Sequence, residues 1–297
     1  MVAGAALCWG LAATVAKSLL VERVDMVLLV QMRATYAAAA MAGFLALVNR
    51  PALRVRRQDL WKLALLGIAG VAGSNFTYYF AMREGTVAVA IVLQYTAPLL
   101  VMAYAASTGE EKVTGVKVAA ALVALAGCFL AVGGLGQGSV RTSGAGLVSG
   151  ILSAFSFAFM TVYTRHLLER YSVWTVTCYA LLAASLFWCV INPPWIIAAQ
   201  PPDAGMWAML AGFAVVSVLI PHSLFFAGLR HVVASRAIIV STLEPVIAIV
   251  SAAVVLGEAL TGLQLGGAVL VLAAIIGLQI RREPGGEDLP EHARAAR

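Results

Sequence analysis

Charge is scarce in this sequence. Charged residues make up 11% of its 297 residues and apolar residues 62%, against about 25% and about 45–50% in typical soluble domains. A soluble protein of this composition could not cover its surface with polar groups. The composition therefore excludes an ordinary soluble protein and makes the lipid bilayer the first predicted partner.

Motifs for several kinds of chemistry are also missing. The four cysteines lie inside apolar runs without CxxC spacing, which favours neither a disulfide framework nor a zinc site. There is no Gly-Lys pair for a P-loop, no His-Glu-x-x-His motif and no Gly-x-Ser-x-Gly elbow. We therefore expect no cofactor, no metal and no enzymatic activity. The net charge of +6 is scattered between apolar runs, so we expect no nucleic-acid partner.

What the sequence does contain is a series of ten apolar stretches with short polar breaks. Each stretch has about 18 to 24 residues, enough to cross a hydrocarbon core of about 30 Å as a helix. The sequence therefore predicts an all-α integral membrane protein with ten transmembrane helices. The predicted spans are 2–21, 26–48, 60–82, 86–107, 113–133, 144–167, 172–193, 206–229, 234–256 and 263–281.

Basic residues are distributed unequally between the two sides of the membrane. Of the 20 lysines and arginines, 15 fall on one side, four on the other, and Arg33 lies within the second span. Because basic residues in short loops stay cytoplasmic, we expect a multi-pass protein of the plasma (inner) membrane with both termini in the cytoplasm. The tail, 282–297, has too little apolar surface to fold alone and is predicted to be disordered and cytoplasmic.

An internal repeat appears when the sequence is shifted by 147 residues. Without a gap, Met82-Arg83 falls on Leu229-Arg230, Pro98 on Pro245, Glu111 on Glu258, and Thr114-Gly115 on Thr261-Gly262. Each repeat holds five spans, an odd number, so the second repeat must be inverted relative to the first. We therefore predict two inverted five-helix domains, 1–135 and 144–281, with a substrate site between them near the bilayer midplane.

These motifs resemble a known family. The run from Ser223 to Ala237, followed by Leu243-Glu244-Pro245 and Leu256-Gly257-Glu258, is similar to the second EamA domain of the drug/metabolite transporter superfamily. The first half resembles a first EamA domain at Tyr78 to Arg83, Ala97-Pro98 and Glu110-Glu111. The resemblance implies a ten-helix carrier that exports or exchanges small metabolites, often amino acids or drug-like compounds. Ala97 stands where Glu244 stands, so no acidic role is carried over to the first half.

Glu244 is the only carboxylate well inside a predicted span, about ten residues into the ninth. A charge at that depth costs about 2.5–3.5 kcal/mol on insertion scales, so such residues usually face a cavity or a partner. Its neighbour Pro245, and Pro98 in the first repeat, cannot donate a backbone hydrogen bond and are expected to loosen their helices. We interpret Glu244 as a substrate ligand or a carrier of a coupling proton. The alternative is a neutral carboxyl that only packs.

Arg33 lies about seven residues into the second span. Its guanidinium could hold a substrate carboxylate in a bidentate fork. The alternative is a side chain that snorkels to the outer interface or pairs with Glu84. Lys17, near the end of the first span, is more simply explained by snorkelling.

Uncharged polar residues and aromatic rings complete the predicted site. Gln94 and Tyr95 precede Pro98, while Asn75 and His222 are equivalent under the 147-residue shift. Such groups can bind and release a ligand at low desolvation cost, although hydrogen bonds between helices explain them equally well. The predicted substrate-binding residues are Glu244, Arg33, Gln94, Tyr95, Asn75, His222, Tyr78, Trp9 and Tyr163.

The leading interpretation is a secondary carrier that exports or exchanges small amphipathic metabolites by alternating access, driven by an ion gradient or exchange. A broad efflux carrier for drugs or cations is the first alternative. An intramembrane enzyme would cluster its ionisable residues within a few turns, and a passive channel would show flux that does not saturate. Either a monomer or a homodimer is compatible with the sequence.

Overall fold

The computed structural model describes residues 1–19, 24–135, 141–199, 203–257 and 259–280. Within these ranges the fold is all-α and contains ten long apolar helices. Eight of them are long and apolar enough to cross a membrane. The fifth helix is shorter, and so is the apolar part of the first. The tail 282–297, Glu258 of the repeat motif and the side chain of Lys17 lie outside the described residues.

The helices lie close to the predicted spans. Their bounds are α1 Val2–Leu19, α2 Met26–Val48, α3 Arg57–Arg83, α4 Val87–Gln94 and Ala97–Thr108, α5 Gly115–Ala131, α6 Gly144–Leu168, α7 Val173–Ile191, α8 Ala204–Leu229, α9 Ala234–Val240 and Leu243–Leu256, and α10 Gly262–Ile280. The prediction of ten helices is confirmed. Two of them, α4 and α9, are interrupted, which hydropathy alone does not show.

The polar breaks begin and end the helices. Side chains at the N-cap accept hydrogen bonds from backbone N–H groups two or three residues ahead, which satisfies donors that the first turn leaves free. At the other end, Gly109 closes α4 with a φ of 70° and Gly257 closes α9 with a φ of 69°, a conformation that glycine adopts without steric cost. The N-caps are Asp25, Thr86, Thr114, Ser143, Ser172 and Asp203.

Helix packing repeats between the two halves. Helix α1 packs on α8 and α9, and α6 packs correspondingly on α3 and α4. Helix α2 packs on α7, and α5 packs on α10. Exchanging the first five helices for the last five leaves this pattern unchanged, as a pseudo-twofold axis between inverted repeats requires.

The contact between α5 and α10 depends on two glycines. A Cβ atom at Gly127 would lie 2.8 Å from the carbonyl oxygen of Gly267. A Cβ atom at Gly267 would lie 2.6 Å from the carbonyl oxygen of Gly127. Because neither position has room for a methyl group, glycine allows the two backbones to touch.

Helix irregularities also occur in equivalent places. Helix α3 contains a π-helical segment at Leu66–Ala72 and α8 contains one at Val215–Leu219. Helix α4 is interrupted between Gln94 and Ala97 and α9 between Val240 and Leu243. Each interruption comes just before the proline of that repeat, at Pro98 and Pro245. Since π segments and broken helices are frequent at functional sites of membrane proteins, these four places define where a site is to be sought.

Candidate functional site

Arg33 is buried between three helices. Only 5% of the residue is exposed. Its Nε atom donates to the Ser217 hydroxyl at 2.9 Å, Nη2 donates to the Ser217 carbonyl oxygen at 3.2 Å, and Nη1 donates to the Tyr79 hydroxyl. The guanidinium also lies 5.2 Å from the ring centres of Tyr79 and Phe213. These contacts hold the group inside the protein, so it does not snorkel to an interface.

The guanidinium lacks a carboxylate partner among the residues that the structure describes. Glu84, the partner considered above, instead lies 3.7 Å from Arg83 and accepts a hydrogen bond from Ser143 at 3.1 Å. The structure therefore shows Arg33 neither at an interface nor paired with Glu84. Three of its five N–H donors are occupied, which leaves two for a planar anion such as a carboxylate.

Glu244 begins the second part of α9 and is bonded by the opposite repeat. The hydroxyl of Tyr95, which lies in the break of α4, is 2.8 Å from Glu244 Oε2 and 3.0 Å from the carbonyl oxygen of Ser241. The hydroxyl has one hydrogen, which it shares between these two acceptors. This contact joins the two broken helices.

Arg33 and Glu244 face the same interior region. They are close enough to interact electrostatically, and Tyr78 interacts with both. Glu244 is surrounded by protein, yet it keeps part of its surface accessible, as do Tyr78 and Tyr79. The two charged residues and the two tyrosines therefore form one cluster inside the bundle, in which Glu244, Tyr78 and Tyr79 are only partly buried.

Aromatic rings form one wall of this region. The ring centre of Trp9 lies 6.3 Å from that of Phe157 and 5.5 Å from that of Phe225. Tyr95 also contacts Phe157, at 6.5 Å. Phe225 is the repeat equivalent of Tyr78, so one repeat presents a hydroxylated ring where the other presents a purely apolar one. These rings form an apolar cluster that reaches Glu244 through Tyr95.

Asn75 and His222 make equivalent contacts with backbone carbonyl groups in the two repeats. Asn75 Nδ2 donates to the carbonyl oxygen of Val71 at 2.8 Å, and His222 Nδ1 lies 2.9 Å from that of Val218. Both carbonyls belong to the π segments, whose wider turn displaces the usual i+4 backbone donor. His222 additionally contacts the Trp9 ring at 5.6 Å. Each side chain thus stabilises an irregular turn beside the candidate site.

Two further predicted residues, Gln94 and Tyr163, contact residues other than Arg33 and Glu244. Gln94 donates to the Ser74 hydroxyl at 3.3 Å within the first repeat. Tyr163 stacks on Phe159 at 4.8 Å and interacts electrostatically with Lys62 and Asp59. The structure does not bring Tyr163 to the central cluster, because it lies six residues beyond Phe157, about 9 Å along the helix axis.

Among the residues of this region Ser217 was not predicted, and Tyr79 and Ser241 were expected only as a pocket ring and as a carbonyl group freed by Pro245. Ser217 supplies two of the three acceptors of Arg33, and it is a small hydroxyl in an apolar run that resembles any packing serine. Tyr79 has the same sequence signal as Tyr78, yet it is the ring that bonds Arg33. Ser241 contributes a backbone carbonyl oxygen, for which the only sequence signal is Pro245. Within the described ranges no group of three His, Cys, Asp or Glu residues could hold a metal ion.

Comparison with known proteins identifies the family of this chain. The EamA-like transporter family model matches residues 1–133 and again residues 144–279. The chain belongs to the EamA-like transporter family. The predicted resemblance is confirmed, and this EamA-like chain carries the family domain twice.

Relatives of this EamA-like protein are transporters by name. An uncharacterized transporter of Archaeoglobus fulgidus is 30% identical over 79% of this chain and 82% of its own length. The threonine/homoserine exporter RhtA of Salmonella typhimurium is 29% identical over 78% of this chain and 76% of its own. A probable terminal-alkyne amino-acid exporter of Streptantibioticus cattleyicolor is 30% identical over 82% of this chain and 79% of its own length.

A solved crystal structure shares the fold. It matches 96% of this chain and 97% of its own with a TM-score of 0.77, at 23% sequence identity. At that identity the match supports the ten-helix architecture alone. The chain is therefore a multi-pass membrane protein of a transporter family.

Proposed function

We propose that this protein exports or exchanges small amphipathic metabolites, amino acids or related compounds, by alternating access. The observation that carries the proposal is the presence of Arg33 and Glu244 in one enclosed region, each supplied by a different repeat. An amino acid carries one negative and one positive group, separated by a single carbon. Two opposite charges facing a common space, beside an apolar wall, suit that distribution. The names of two relatives, both amino-acid exporters, support the same class of substrate.

Each charged residue has a distinct role in this proposal. Arg33 binds the substrate carboxylate with its two remaining N–H donors, while Ser217 and Tyr79 hold the guanidinium in place. Glu244 binds the substrate amine. Tyr95 positions the carboxyl from the opposite repeat. Movement of one repeat against the other would therefore alter the Glu244 environment directly, which is what alternating access needs.

The remaining predicted residues line or support the site. Trp9 belongs to the apolar wall, and Tyr78 interacts with both charged groups. Gln94 holds the end of the first part of α4 through Ser74. Asn75 and His222 stabilise the π segments. Tyr163 lies outside the cluster and contributes to the proposal only as a packing residue.

The proposed coupling of transport to an energy source depends on the carboxyl group of Glu244. In this proposal Glu244 carries a proton when the amine is absent and releases it when the amine binds, which couples transport to the proton gradient. Exchange of one substrate for another needs no net proton movement. We place the carrier in the plasma (inner) membrane with both termini in the cytoplasm, as a monomer or homodimer. Its two functional halves are residues 1–135 and 144–281.

Counterflow in proteoliposomes tests the proposed function. Vesicles loaded with unlabelled threonine, homoserine, leucine or phenylalanine should take up the same labelled amino acid faster than unloaded vesicles, and the rate should saturate. A nucleoside and a cationic drug serve as control substrates, and vesicles without protein measure leakage. Saturable counterflow of the cationic drug alone would favour the broad efflux alternative, and flux that does not saturate would favour a channel. Either result would overturn the proposed substrate class or mechanism.

A further inference from the structure

An open recess of about 320 Å³ lies at the end of the bundle where α2 leads into α3. Arg56 and Asp59 line it from the beginning of α3, and Arg170 and Tyr171 line it from the turn between α6 and α7. Each repeat thus contributes one arginine. The recess is separate from the central region that holds Glu244, and nothing in the proposed transport reaction uses it.

The acidic residue of the recess is already neutralised. Asp59 Oδ1 lies 2.9 Å from Lys62 Nζ, and Oδ2 accepts a hydrogen bond from the Tyr171 hydroxyl at 2.7 Å. The same hydroxyl lies 3.4 Å from the backbone nitrogen of Arg56. These contacts connect the two repeats and fix the floor of the recess. The charge that the recess presents is therefore set by its two arginines.

Arg56 and Arg170 are exposed, and neither lies within 4 Å of a described carboxylate, although Arg170 also interacts electrostatically with Asp59. A guanidinium presents a planar fork of donors that matches the oxygens of a phosphate. Two such groups on either side of one recess attract an anion and can contact different oxygens of it. The shared chemistry is that of a phosphate ester or a free phosphate.

Tryptophans place the recess at the membrane surface. Trp61, two residues after Asp59, is 61% exposed and its ring centre lies 5.9 Å from Lys62 Nζ. Trp174, three residues after Tyr171, is 44% exposed. Exposed tryptophans are enriched at the level of lipid headgroups. The two arginines therefore lie at the depth where the phosphates of lipids are found.

We propose that this recess binds the phosphate of an anionic phospholipid headgroup between Arg56 and Arg170. The membrane depth favours a lipid over a free anion. The two positive charges favour a net negative headgroup such as phosphatidylglycerol over zwitterionic phosphatidylcholine, in which a choline group compensates the phosphate. The site is independent of the transport proposal, because lipid binding is measured without any substrate.

Native mass spectrometry of the full-length protein released from detergent tests the proposal. The protein is titrated with dioleoyl phosphatidylglycerol, dioleoyl phosphatidylcholine or inorganic phosphate. The test variant is R56Q/R170Q, and the matched control is R54Q/R57Q, which removes two exposed arginines of the same end that do not line the recess. Unchanged melting temperatures in phosphatidylcholine confirm that both variants are folded.

We expect one phosphatidylglycerol to bind the wild type and the control at least about tenfold more tightly than phosphatidylcholine, a difference of about 1.4 kcal/mol. R56Q/R170Q should lose that preference, and R56K/R170K should retain part of it, since charge remains without the planar fork. Equal losses in R56Q/R170Q and R54Q/R57Q would show diffuse attraction and overturn the site. Binding of inorganic phosphate at the recess without preference for phosphatidylglycerol would overturn the assignment to lipid.

Discussion

The change of Arg33 to lysine separates a binding role from a structural one. Arg33 uses three N–H groups on Ser217 and Tyr79 and has two left. A lysine ammonium is a single point, so it cannot hold Ser217 and a substrate carboxylate in the same geometry. Hydrogen bonds to charged groups contribute about 1.5–3 kcal/mol. Loss of one such bond corresponds to about 10- to 150-fold weaker binding of a carboxylate.

The variant also loses its own internal contacts, so protein abundance alone cannot report on the substrate. We therefore compare two competitors in counterflow: the transported amino acid and its primary amide, which keeps the amine and side chain but has no negative charge. In the wild type the amino acid should compete more strongly than the amide. In Arg33→Lys the ratio of the two inhibition constants should fall by about tenfold or more, because only the carboxylate depended on the fork.

Arg83→Lys is the matched control. Arg83 ends α3, its side chain is 55% exposed, and its guanidinium also lies over an aromatic ring, that of Phe80 at 5.0 Å. The ratio should not change in this variant. If Arg33→Lys weakens competition by the amino acid and by its amide equally, Arg33 does not bind the carboxylate and the reasoning is refuted.

Two further predictions concern packing and topology. Gly267→Ala should lower the melting temperature in detergent, since overpacking typically costs about 1–3 kcal/mol. Gly266→Ala is the control and should not lower it, because its added Cβ atom meets nothing within 4 Å. Equal melting temperatures of the two variants would contradict the close contact of α5 and α10. In intact cells a single cysteine at Arg54 should be labelled by a membrane-impermeant reagent only after permeabilisation, and one at Asp203 without it; the reversed pattern would overturn the proposed orientation.

Much of the fold was predictable because a membrane restricts the structures that a spanning segment can adopt. Ten apolar stretches predict ten helices since a spanning segment must satisfy its own backbone hydrogen bonds. The repeat predicted by Pro98 and Pro245 reappears in the packing and in the matching breaks of α4 and α9. Hydropathy cannot show such breaks, because the residues that form them, including Tyr95 and Thr242, lie within continuous apolar runs.

The candidate site was predictable only in part. Arg33 and Glu244 stand out because charge is costly inside a membrane. Their partners do not, since Ser217 and Tyr79 have the composition of ordinary packing residues. Asn75 and His222 are equivalent under the repeat and contact equivalent carbonyl groups, but these contacts with the π segments depend on a change of helical pitch that leaves no sequence signal. Tyr163 was grouped by residue type alone, and its distance along α6 separates it from the site.

Replacement of Glu244 by glutamine tests the central claim most directly. The amide keeps the shape of the carboxyl but cannot bind an ammonium group by charge. Purified Glu244→Gln protein should lose both amino-acid counterflow and gradient-driven accumulation, while Glu169→Gln, an exposed carboxylate change, should retain both. Surviving counterflow with loss of accumulation would make Glu244 a proton carrier and contradict its role as the amine ligand. Full activity of Glu244→Gln in both assays would contradict the functional site altogether.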